Sequence, residues 1–363
     1  MEDTLVLLPG LSPLSTSLSR SLLDAAYREP LTYVISKTPS SSKLTIAFAA
    51  PFQPVNWPLH QSLLADLYSI VVSVQATSAA IDVDTTVLLI DYSTSSKTTG
   101  NDTTVLTIST FASKPTLWSR VFYDGSKTGR ELLSSFVDGG AVVKKDKLVA
   151  LADLTLAEEG RSQNDEVTEL YKTVVVAGTF DHLHIGHKLL IQASTLLLSL
   201  PRDASTPARL IIGISGGSLL TSKKYASEME SWRTRTQKVI DFLSATFALS
   251  SSHLRQETIG DDEEVHAFFF GGRLIVRCVK IVDVYGPTIT EEDMDAIVLS
   301  AETRKGGAMI NEKRVGRGWR KLQVHEIGVI HIDGQELESN ANDFASKISS
   351  TEIRRRLAEA HGA

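Results

Sequence analysis

The sequence predicts an α/β protein whose C-terminal part is a doubly wound parallel sheet, preceded by a smaller α/β domain. Short apolar runs typical of strands alternate with helical runs along the chain, a pattern that indicates parallel strands joined by helical crossovers. The chain has 363 residues, more than a typical single core accommodates. A polar stretch with KKDK and EEGRSQNDE divides it. We therefore expect an N-terminal domain at 1–150, a linker at 151–170 and a C-terminal domain at 171–363.

Hydrophobic periodicity gives the elements expected in the first domain. The expected strands are Thr4–Leu8, Leu31–Ser36, Leu44–Ala49, Thr86–Asp91 and Val105–Thr110, and the expected helices are Ser15–Ala26, Leu59–Val74 and Gly129–Phe136. The sequence of this domain contains neither a Gly-rich phosphate turn nor a cluster of histidines or carboxylates. A structural or partner-binding role is therefore expected, and a share in substrate binding is the alternative.

The second domain opens with VVVAGTFDHLHIGHKLLIQAS, residues 174–194. The β-branched run Val174–Val176 is typical of a buried parallel strand, and Gly178 ends it where a phosphate can approach the backbone closely. Apolar residues then recur at three- and four-residue steps, which predicts a helix from near Ile185. The first N–H groups of a helix have no internal partner and carry positive partial charge. This strand, turn and helix therefore predict an anion site.

Candidate ligands for that anion stand at the start of the helix. His184, His187 and Lys188 lie at i, i+3 and i+4, so we expect their side chains to share one face of the first turn. Thr179 adds a hydroxyl donor from the turn. With His182, the two histidines also have the residue type of a metal site, but a tetrahedral site would want another nearby ligand. No metal site is therefore predicted.

Further elements of the second domain follow from the same periodicity. The expected strands are Ala208–Gly213, Ile275–Val282, Ala296–Ser300 and Val324–Ile332, and the expected helices are Trp232–Leu249 and Ser349–Glu359. The segment Asp261–Gly272, an acidic run followed by FFFGG, fits none of these elements and is expected to be an insertion or a loop. Ligands in doubly wound sheets bind at the carboxyl ends of the strands, where the turn after Val176 falls.

Two motifs carry a resemblance to a known superfamily. GTFDHLHIGH resembles the GTFDxxHxGH motif of the HxGH nucleotidylyltransferases, and ISST at Ile348–Thr351 with Arg354 resembles their ISSTxxR motif, about 160 residues later. Between them, DVYGPTITEEDMDAIVLSAETRKGGAMINEKR (Asp283–Arg314) resembles the eukaryotic type of phosphopantetheine adenylyltransferase, which precedes the kinase in bifunctional CoA synthase. The resemblance covers roughly residues 171–358.

The resemblance implies a Rossmann-like catalytic domain that transfers AMP from ATP to 4′-phosphopantetheine, giving dephospho-CoA and pyrophosphate. It implies that His187 donates to the α-phosphate and that His184 holds phosphate or ribose groups beside it. Gly178, Thr179 and Phe180 are expected to bind from the turn. A phosphate monoester is already ionised near neutral pH, so the site must mainly supply positioning and positive charge.

Other expected contacts come from later segments. The family places a lysine that grips the acceptor phosphate after the second strand, where Lys223 and Lys224 both stand, and the sequence leaves the choice open. The residues Ser-Thr-Glu before the last helix also fit a helix cap, a reading compatible with an anion site. The remaining expected nucleotide contacts are Glu302, Ile348, Ser349, Ser350, Thr351 and Arg354.

Composition excludes several classes of function. A formal charge of −6 argues against a dedicated nucleic-acid binder. The single cysteine, Cys278, excludes an internal disulfide framework and a thiolate metal cluster. The first residues lack the basic region of a signal peptide, and no apolar run approaches the length of a membrane span. We therefore expect a cytoplasmic protein that binds neither nucleic acid nor membrane, with Mg²⁺ arriving on the phosphates of ATP.

Two other functions stay open at this point. One is another HxGH nucleotidylyltransferase, such as a cytidylyltransferase or a nicotinamide mononucleotide adenylyltransferase. The other is a catalytically silent scaffold of a coenzyme A biosynthetic complex. The sequence contains no GxxxxGK[ST] loop and only a dozen residues after Thr351, so a single activity is expected. Other coenzyme A biosynthetic enzymes are the candidate partners of the first domain.

Overall fold

The computed structural model describes residues 3–10, 20–77, 83–92, 102–114, 116–154, 167–248, 254–260, 263–328, 330 and 349–361. These residues form two β-sheets flanked by helices. The predicted fold class, α/β with parallel sheets, is confirmed. Among the described residues, no helix has both the length and the apolar character that crossing a membrane requires.

The first sheet has six parallel strands in the order β4-β3-β2-β1-β5-β6. Its strands are β1 Asp3–Pro9, β2 Lys43–Ala50, β3 Asp84–Asp91, β4 Leu106–Thr107, β5 Arg120–Tyr123 and β6 Leu148–Ala150. Its helices are α1 Arg20–Lys37, α2 Trp57–Thr77, α3 Ile108–Ala112 and α4 Lys127–Asp138. Helices cover both of its faces, because Val6 and Leu8 pack in the cluster with α1 and α2, whereas Leu5 and Leu7 pack with α3 and α4.

Three expectations for the first sheet need correction. The strand expected at Leu31–Ser36 is wrong, because α1 runs through Pro30 and buries a helical stripe consisting of Leu23, Tyr27, Leu31, Val34 and Ile35. The strand expected at Val105–Thr110 shrinks to β4, because the Thr107 hydroxyl accepts from the Thr110 amide and so begins α3. Strands β5 and β6 were not expected from the sequence.

The second sheet has seven strands in the order β13-β12-β7-β8-β11-β10-β9. Its strands are β7 Thr173–Gly178, β8 Ala208–Ser215, β9 Gln256–Ile259, β10 Glu264–Phe269, β11 Leu274–Ile281, β12 Ala296–Leu299 and β13 Gln323–Glu326. Its helices are α5 Ile185–Thr195, α6 Trp232–Thr246, α7 Arg304–Gly316 and α8 Ser350–His361. The strands from β13 to β11 in that order pair in parallel. Strand β10 pairs antiparallel with both β11 and β9.

The antiparallel edge corrects one expectation. The segment Asp261–Gly272 is not a loop, because its residues 264–269 form β10 against β11. Alternation along β10, with Ala267 and Phe269 buried, holds this strand on the core. The last strand, expected at Val324–Ile332, is β13 and ends at Glu326, and residues 329, 331 and 332 lie outside the described part of the chain.

Helix α5 joins the two sheets. The Tyr68 hydroxyl of α2 donates to the Gln192 side chain over 2.7 Å, and the Trp57 indole donates to the Ala193 carbonyl over 2.8 Å. The Gln192 amide donates to the Val87 carbonyl of β3 over 2.7 Å. These groups are buried, so the hydrogen bonds hold the helix that follows β7 firmly against the first sheet.

Candidate active site

The turn after β7 lies where the strand order of the second sheet reverses. From β7 the chain adds β8 and β11 on one side, and it later adds β12 and β13 on the other. Such a reversal opens a crevice at the carboxyl ends of the strands. Gly178 ends β7 in this crevice, and a Cβ there would lie only 3.1 Å from the Phe180 ring. A side chain here would press on that ring, so the close packing favours glycine.

The backbone of the turn is strained. Phe180 has φ of 50° and His182 has φ of 44°, both in the left-handed region that bulky side chains rarely adopt. The Phe180 side chain is fully buried, with its ring 5.3 Å from that of His187. Any contact of Phe180 with a nucleotide would therefore come from its main chain, and such a contact stays a prediction.

Asp181 holds the strained turn in place. Its carboxylate is fully buried, accepting the Glu230 amide over 2.9 Å and the Arg354 guanidinium over 2.6 Å. Its carbonyl accepts the Ser350 hydroxyl over 2.8 Å. One residue of the turn thus connects the segment before α6 and the start of α8, so the two predicted motifs meet in space.

Two further residues support the turn, and sequence reasoning missed both. The Glu230 carboxylate accepts the His182 amide over 2.9 Å. Arg235, 1% exposed, donates to the Thr179 carbonyl over 2.6 Å and to the Glu230 carbonyl over 3.0 Å. Arg235 interrupts the apolar stripe of α6 and could have been noticed for that reason, whereas nothing in the sequence singles out Glu230.

The two histidines of the HxGH tetrad lie together. Their rings stack, with centroids 3.8 Å apart and planes at 26°. Burial lowers the pKa of His184 to about 4, with smaller effects from the charges of His182 and Lys188. Burial, with the neighbouring His184, places the pKa of His187 well below its ordinary value. Both rings are therefore neutral near pH 7, and each keeps one N–H donor.

The start of α5 is open to an anion. His184 is its N-cap but makes no capping hydrogen bond, and the first turn contains no acidic residue. The His187 Nδ1 atom is buried and has no hydrogen-bond partner in the described part of the chain. A phosphate placed here would meet backbone N–H groups and imidazole, and its negative charge would raise the pKa of both histidines.

Lys188 does not point at this anion site, so the expected face of three side chains is wrong. Its ammonium is buried beneath α5, where it forms an ion pair with Asp84 and donates to the Thr85 carbonyl over 2.8 Å. A carboxylate of the first sheet thus decides the direction of this side chain. The histidine pair remains at the open end of α5.

The lysines after β8 flank the same region. Lys223 and Lys224 are exposed, in the turns that follow β8. The Lys224 carbonyl accepts the Arg354 guanidinium over 3.0 Å. Which ammonium meets an acceptor phosphate stays a prediction, as does direct contact of Arg354 with nucleotide, since its side chain is 2% exposed and engaged with Asp181.

The start of α8 has features of a helix cap, one of the two interpretations of the ISST motif, the other being an anion site. The Ser349 hydroxyl accepts the Glu352 amide over 3.3 Å, as a helix cap does, and the Thr351 hydroxyl accepts Arg354 over 3.3 Å. Glu302 lies exposed in a short turn after β12, the strand paired with β7. Ile348 lies outside the described residues. Where the structure describes the chain, no three His, Cys, Asp or Glu residues are placed to hold a metal ion.

Comparison with known proteins identifies relatives of the chain. It is 29% identical to an uncharacterized protein of Schizosaccharomyces pombe over 245 residues, 67% of this chain and 66% of that one. It is 32% identical to the phosphopantetheine adenylyltransferase of Saccharomyces cerevisiae over 187 residues, 52% of this chain and 49% of the yeast protein. The phosphopantetheine adenylyltransferase of Pyrococcus abyssi is 30% identical over 193 residues, which are 53% of this chain and 94% of the archaeal protein. The chain belongs to the phosphopantetheine adenylyltransferase family.

The phosphopantetheine adenylyltransferase family accounts for about half of the chain. The match of 193 residues covers 94% of the Pyrococcus relative. That relative therefore has no room for a second unit the size of the first sheet. Residues 1–153 match a family described as "Domain of unknown function (DUF8446)". A solved structure from Archaeoglobus fulgidus, of unknown function, is 24% identical over 42% of this chain and 96% of its own, with a TM-score of 0.28.

Proposed function

We propose that the chain is a pantetheine-phosphate adenylyltransferase of the eukaryotic type. It would transfer AMP from ATP to 4′-phosphopantetheine and release dephospho-CoA and pyrophosphate. The observation that carries the proposal is the uncapped start of α5, at which two stacked, neutral imidazoles stand beside free backbone N–H groups. The adenylyltransferases of Saccharomyces and Pyrococcus among the relatives support this choice of reaction.

The proposed chemistry needs charge and position more than it needs a base. A phosphate oxygen of the acceptor attacks the α-phosphorus of ATP, a new P–O bond forms, and the bond to pyrophosphate breaks. His187 donates its N–H to an oxygen of the α-phosphate, and the α5 N–H groups bind phosphate oxygens beside it. Mg²⁺ arrives on the phosphates of ATP and offsets their charge.

Other predicted residues take supporting roles in this proposal. His184 holds phosphate or ribose groups, and Lys223 or Lys224 reaches the acceptor phosphate from the exposed turn after β8. Thr179 bridges nucleotide and acceptor from the turn after β7. The remaining proposed nucleotide contacts are Gly178, Phe180, Glu302, Ile348, Ser349, Ser350, Thr351 and Arg354.

Pyrophosphate release by the purified full chain tests the reaction and its substrates together. ATP and CTP with Mg²⁺ are each combined with phosphopantetheine, nicotinamide mononucleotide, phosphocholine or phosphoethanolamine. We expect release only with ATP and phosphopantetheine. Release with another pair would reassign the acceptor or the nucleotide, and none from a folded chain would favour the silent scaffold.

The residue assignment is tested in the same assay with His187→Asn. We expect kcat to fall by about 10²–10³-fold, because one donor to the developing charge is lost. His266→Asn is the matched control, since His266 lies in β10 and pairs with Glu264 away from β7. Equal loss in both variants, or none in His187→Asn, would remove His187 from the proposed chemistry.

A further inference from the structure

A cavity of about 970 Å³ lies between the two sheets, and among its described lining residues His184 alone has a role proposed above. The first sheet lines it with the amino ends of β1, β2 and β3 and with residues preceding β5. The second sheet contributes the start of α5, the C-terminal half of α6 and one face of α8. Its volume is that of a site for a small molecule.

The cavity adjoins the proposed active site without being part of it. His184 lines the cavity, whereas Thr179, His187 and Lys223 do not. The Pyrococcus relative has no room for the first sheet, which forms one wall of the cavity. An occupant is therefore dispensable for the family's chemistry, and a role in regulation fits it better than a role as substrate.

Two lining cations that lie outside the ion pairs of the described residues favour an anion. Five cationic side chains line the cavity, together with the acidic Asp3, Asp84 and Asp241. Three of the cations have carboxylate partners, in the pairs Lys188–Asp84, Lys238–Glu230 and Arg356–Glu352.

Two lysines, Lys43 and Lys114, have no ion-pair partner within the described residues. The Lys114 ammonium lies 5.9 Å from the Trp118 ring, and burial lowers its pKa, partly offset by the charge of Asp3. An ammonium held away from water beside one acidic group gains from an added negative charge.

Apolar side chains complete the walls. Leu44, Val72 and Phe242 are buried residues that line the cavity, together with Trp118. A ligand with an apolar body could bury its surface against them while its charged group meets Lys43 and Lys114. A free inorganic anion would leave these walls unused.

Helix α5 links the cavity to the active site. His184 is its N-cap and His187 lies in its first turn, and its Lys188 forms the ion pair with Asp84 in the cavity wall. A ligand that contacts both His184 and this ion pair adds its charge beside the first turn of α5. Occupancy can therefore change the electrostatic environment in which the start of α5 binds phosphate.

We propose that this cavity binds a small amphipathic anion, an apolar body bearing one phosphate or carboxylate group, and that its occupancy changes nucleotide binding through α5. The claim that the cavity binds such an anion depends on the cavity alone. The claim that its occupancy changes nucleotide binding rests on the proposed function.

Octyl phosphate is the probe for binding to the full chain, measured by calorimetry and by tryptophan fluorescence, to which Trp118 of the cavity wall contributes. Octanoate tests whether a carboxylate suffices, and inorganic phosphate and octanol test each half of the ligand. We expect saturable binding of octyl phosphate, at least about tenfold tighter than that of inorganic phosphate or octanol. Failure of octyl phosphate to bind, or binding no tighter than octanol, would overturn the proposal.

Variants locate the binding. The double variant Lys43→Gln, Lys114→Gln and the filling variant Ala245→Trp should each weaken octyl phosphate by at least about tenfold. Lys127→Gln is the matched control, because Lys127 lies on α4 with its side chain 87% exposed and outside the cavity. Thermal unfolding checks that each variant is folded. Equal affinity in a folded double variant and in the control would overturn the assignment.

A titration of ATP with and without saturating octyl phosphate tests the coupling. We expect Kd for ATP to change by at least about threefold, and to stay constant in the double variant. An unchanged Kd in the wild-type chain would overturn the coupling. If ATP does not bind under either condition, the proposed function fails, whereas binding in the cavity is still decided by its own titration.

Discussion

Two buried aspartates each follow a strand and precede a helix, one beside each sheet, but their side chains bind different groups. Asp124 follows β5 and precedes α4, and Asp181 follows β7 and precedes α5, and both are fully buried. Asp124 accepts the amides of Ser126 and Leu154, over 3.2 and 2.9 Å, and the Ser126 hydroxyl. The Ser126 hydroxyl in turn caps α4 by accepting the Gly129 amide over 3.2 Å.

The Asp181 side chain does not contribute to a cap on the helix that follows it. Its carboxylate binds Arg354 of α8 and the amide of Glu230 before α6, and the start of α5 is left without a side-chain cap. The chain's own side chains therefore satisfy α4, whereas α5 is free to bind an external anion. An α/β sheet with a helix at its carboxyl edge does not by itself make a ligand site, since the capping groups decide.

The contrast requires that Asp181 depend on Arg354, so we expect the largest effect on stability at this pair. Arg354→Met leaves a buried carboxylate without its cation, which should lower the free energy of unfolding by about 3–5 kcal/mol. Both side chains are almost completely buried, at 2% and 0% exposure. Urea unfolding monitored by circular dichroism measures the change.

The control for this prediction is the double variant Asp181→Asn, Arg354→Met. With the charge removed from both partners, we expect part of the lost stability to return. A single Arg354→Met variant as stable as the wild type would show that the ion pair does not hold the turn.

Local signals explain which parts of the site were predictable from the sequence. The strand, glycine and helix around GTFDHLHIGH are contiguous, and their geometry follows from residues within about one helical turn of each other. Lys188 was misplaced because its direction depends on Asp84, which lies 104 residues earlier. The role of Asp181 was missed for the same reason, since Arg354 is 173 residues away.

The fold shows the same division between local and distant causes. The β-branched residues of Leu31–Ser36 suggested a strand after Pro30, yet packing on the first sheet selects the helical stripe of α1. The short strands β5 and β6 contain four and three residues, too few for an alternating pattern to show. Only pairing with β1 and with each other defines them.

Histidines extend the contrast between the two sheets. His60 of α2 is 2% exposed, stacks edge-on with Phe52, and has no partner for Nδ1, and burial lowers its pKa to about 4. It is neutral when folded and takes up a proton when unfolded below its ordinary pKa of 6.5. Its contribution to stability is therefore present above pH 6.5 and is lost as the pH falls towards about 4.

His60→Phe should remove this dependence. Between neutral pH and about pH 4.5 the wild-type chain should lose about 2–3 kcal/mol more stability than the variant does. Denaturant unfolding at the two pH values measures the difference. Identical losses in both proteins would show that His60 is protonated in the folded chain.

The smallest of these effects concerns Lys188, one of the α5 residues that join the two sheets. Lys188→Met removes the ion pair with Asp84 and the hydrogen bond to Thr85, which should lower the free energy of unfolding by about 1–3 kcal/mol. Because the ammonium contacts Asp84 and Thr85 and reaches His184 only through its charge, Kd for ATP should change by less than about threefold when no cavity ligand is present. Lys223→Met is the comparison for stability, because the Lys223 side chain is exposed. A large loss of ATP affinity in Lys188→Met would restore the original expectation of three side chains on one face.

The most direct test gives α5 a side-chain cap, which α4 already has in Ser126. His184→Asp places an acidic cap at the start of α5, and His184→Asn offers a cap without the charge. We predict that the Asp variant unfolds at the wild-type temperature or above, yet binds ATP at least about 10²-fold more weakly, with a smaller loss for Asn. Calorimetric titration of ATP into the three proteins decides it, and an Asp variant that binds ATP as tightly as the wild type would contradict the proposed anion site.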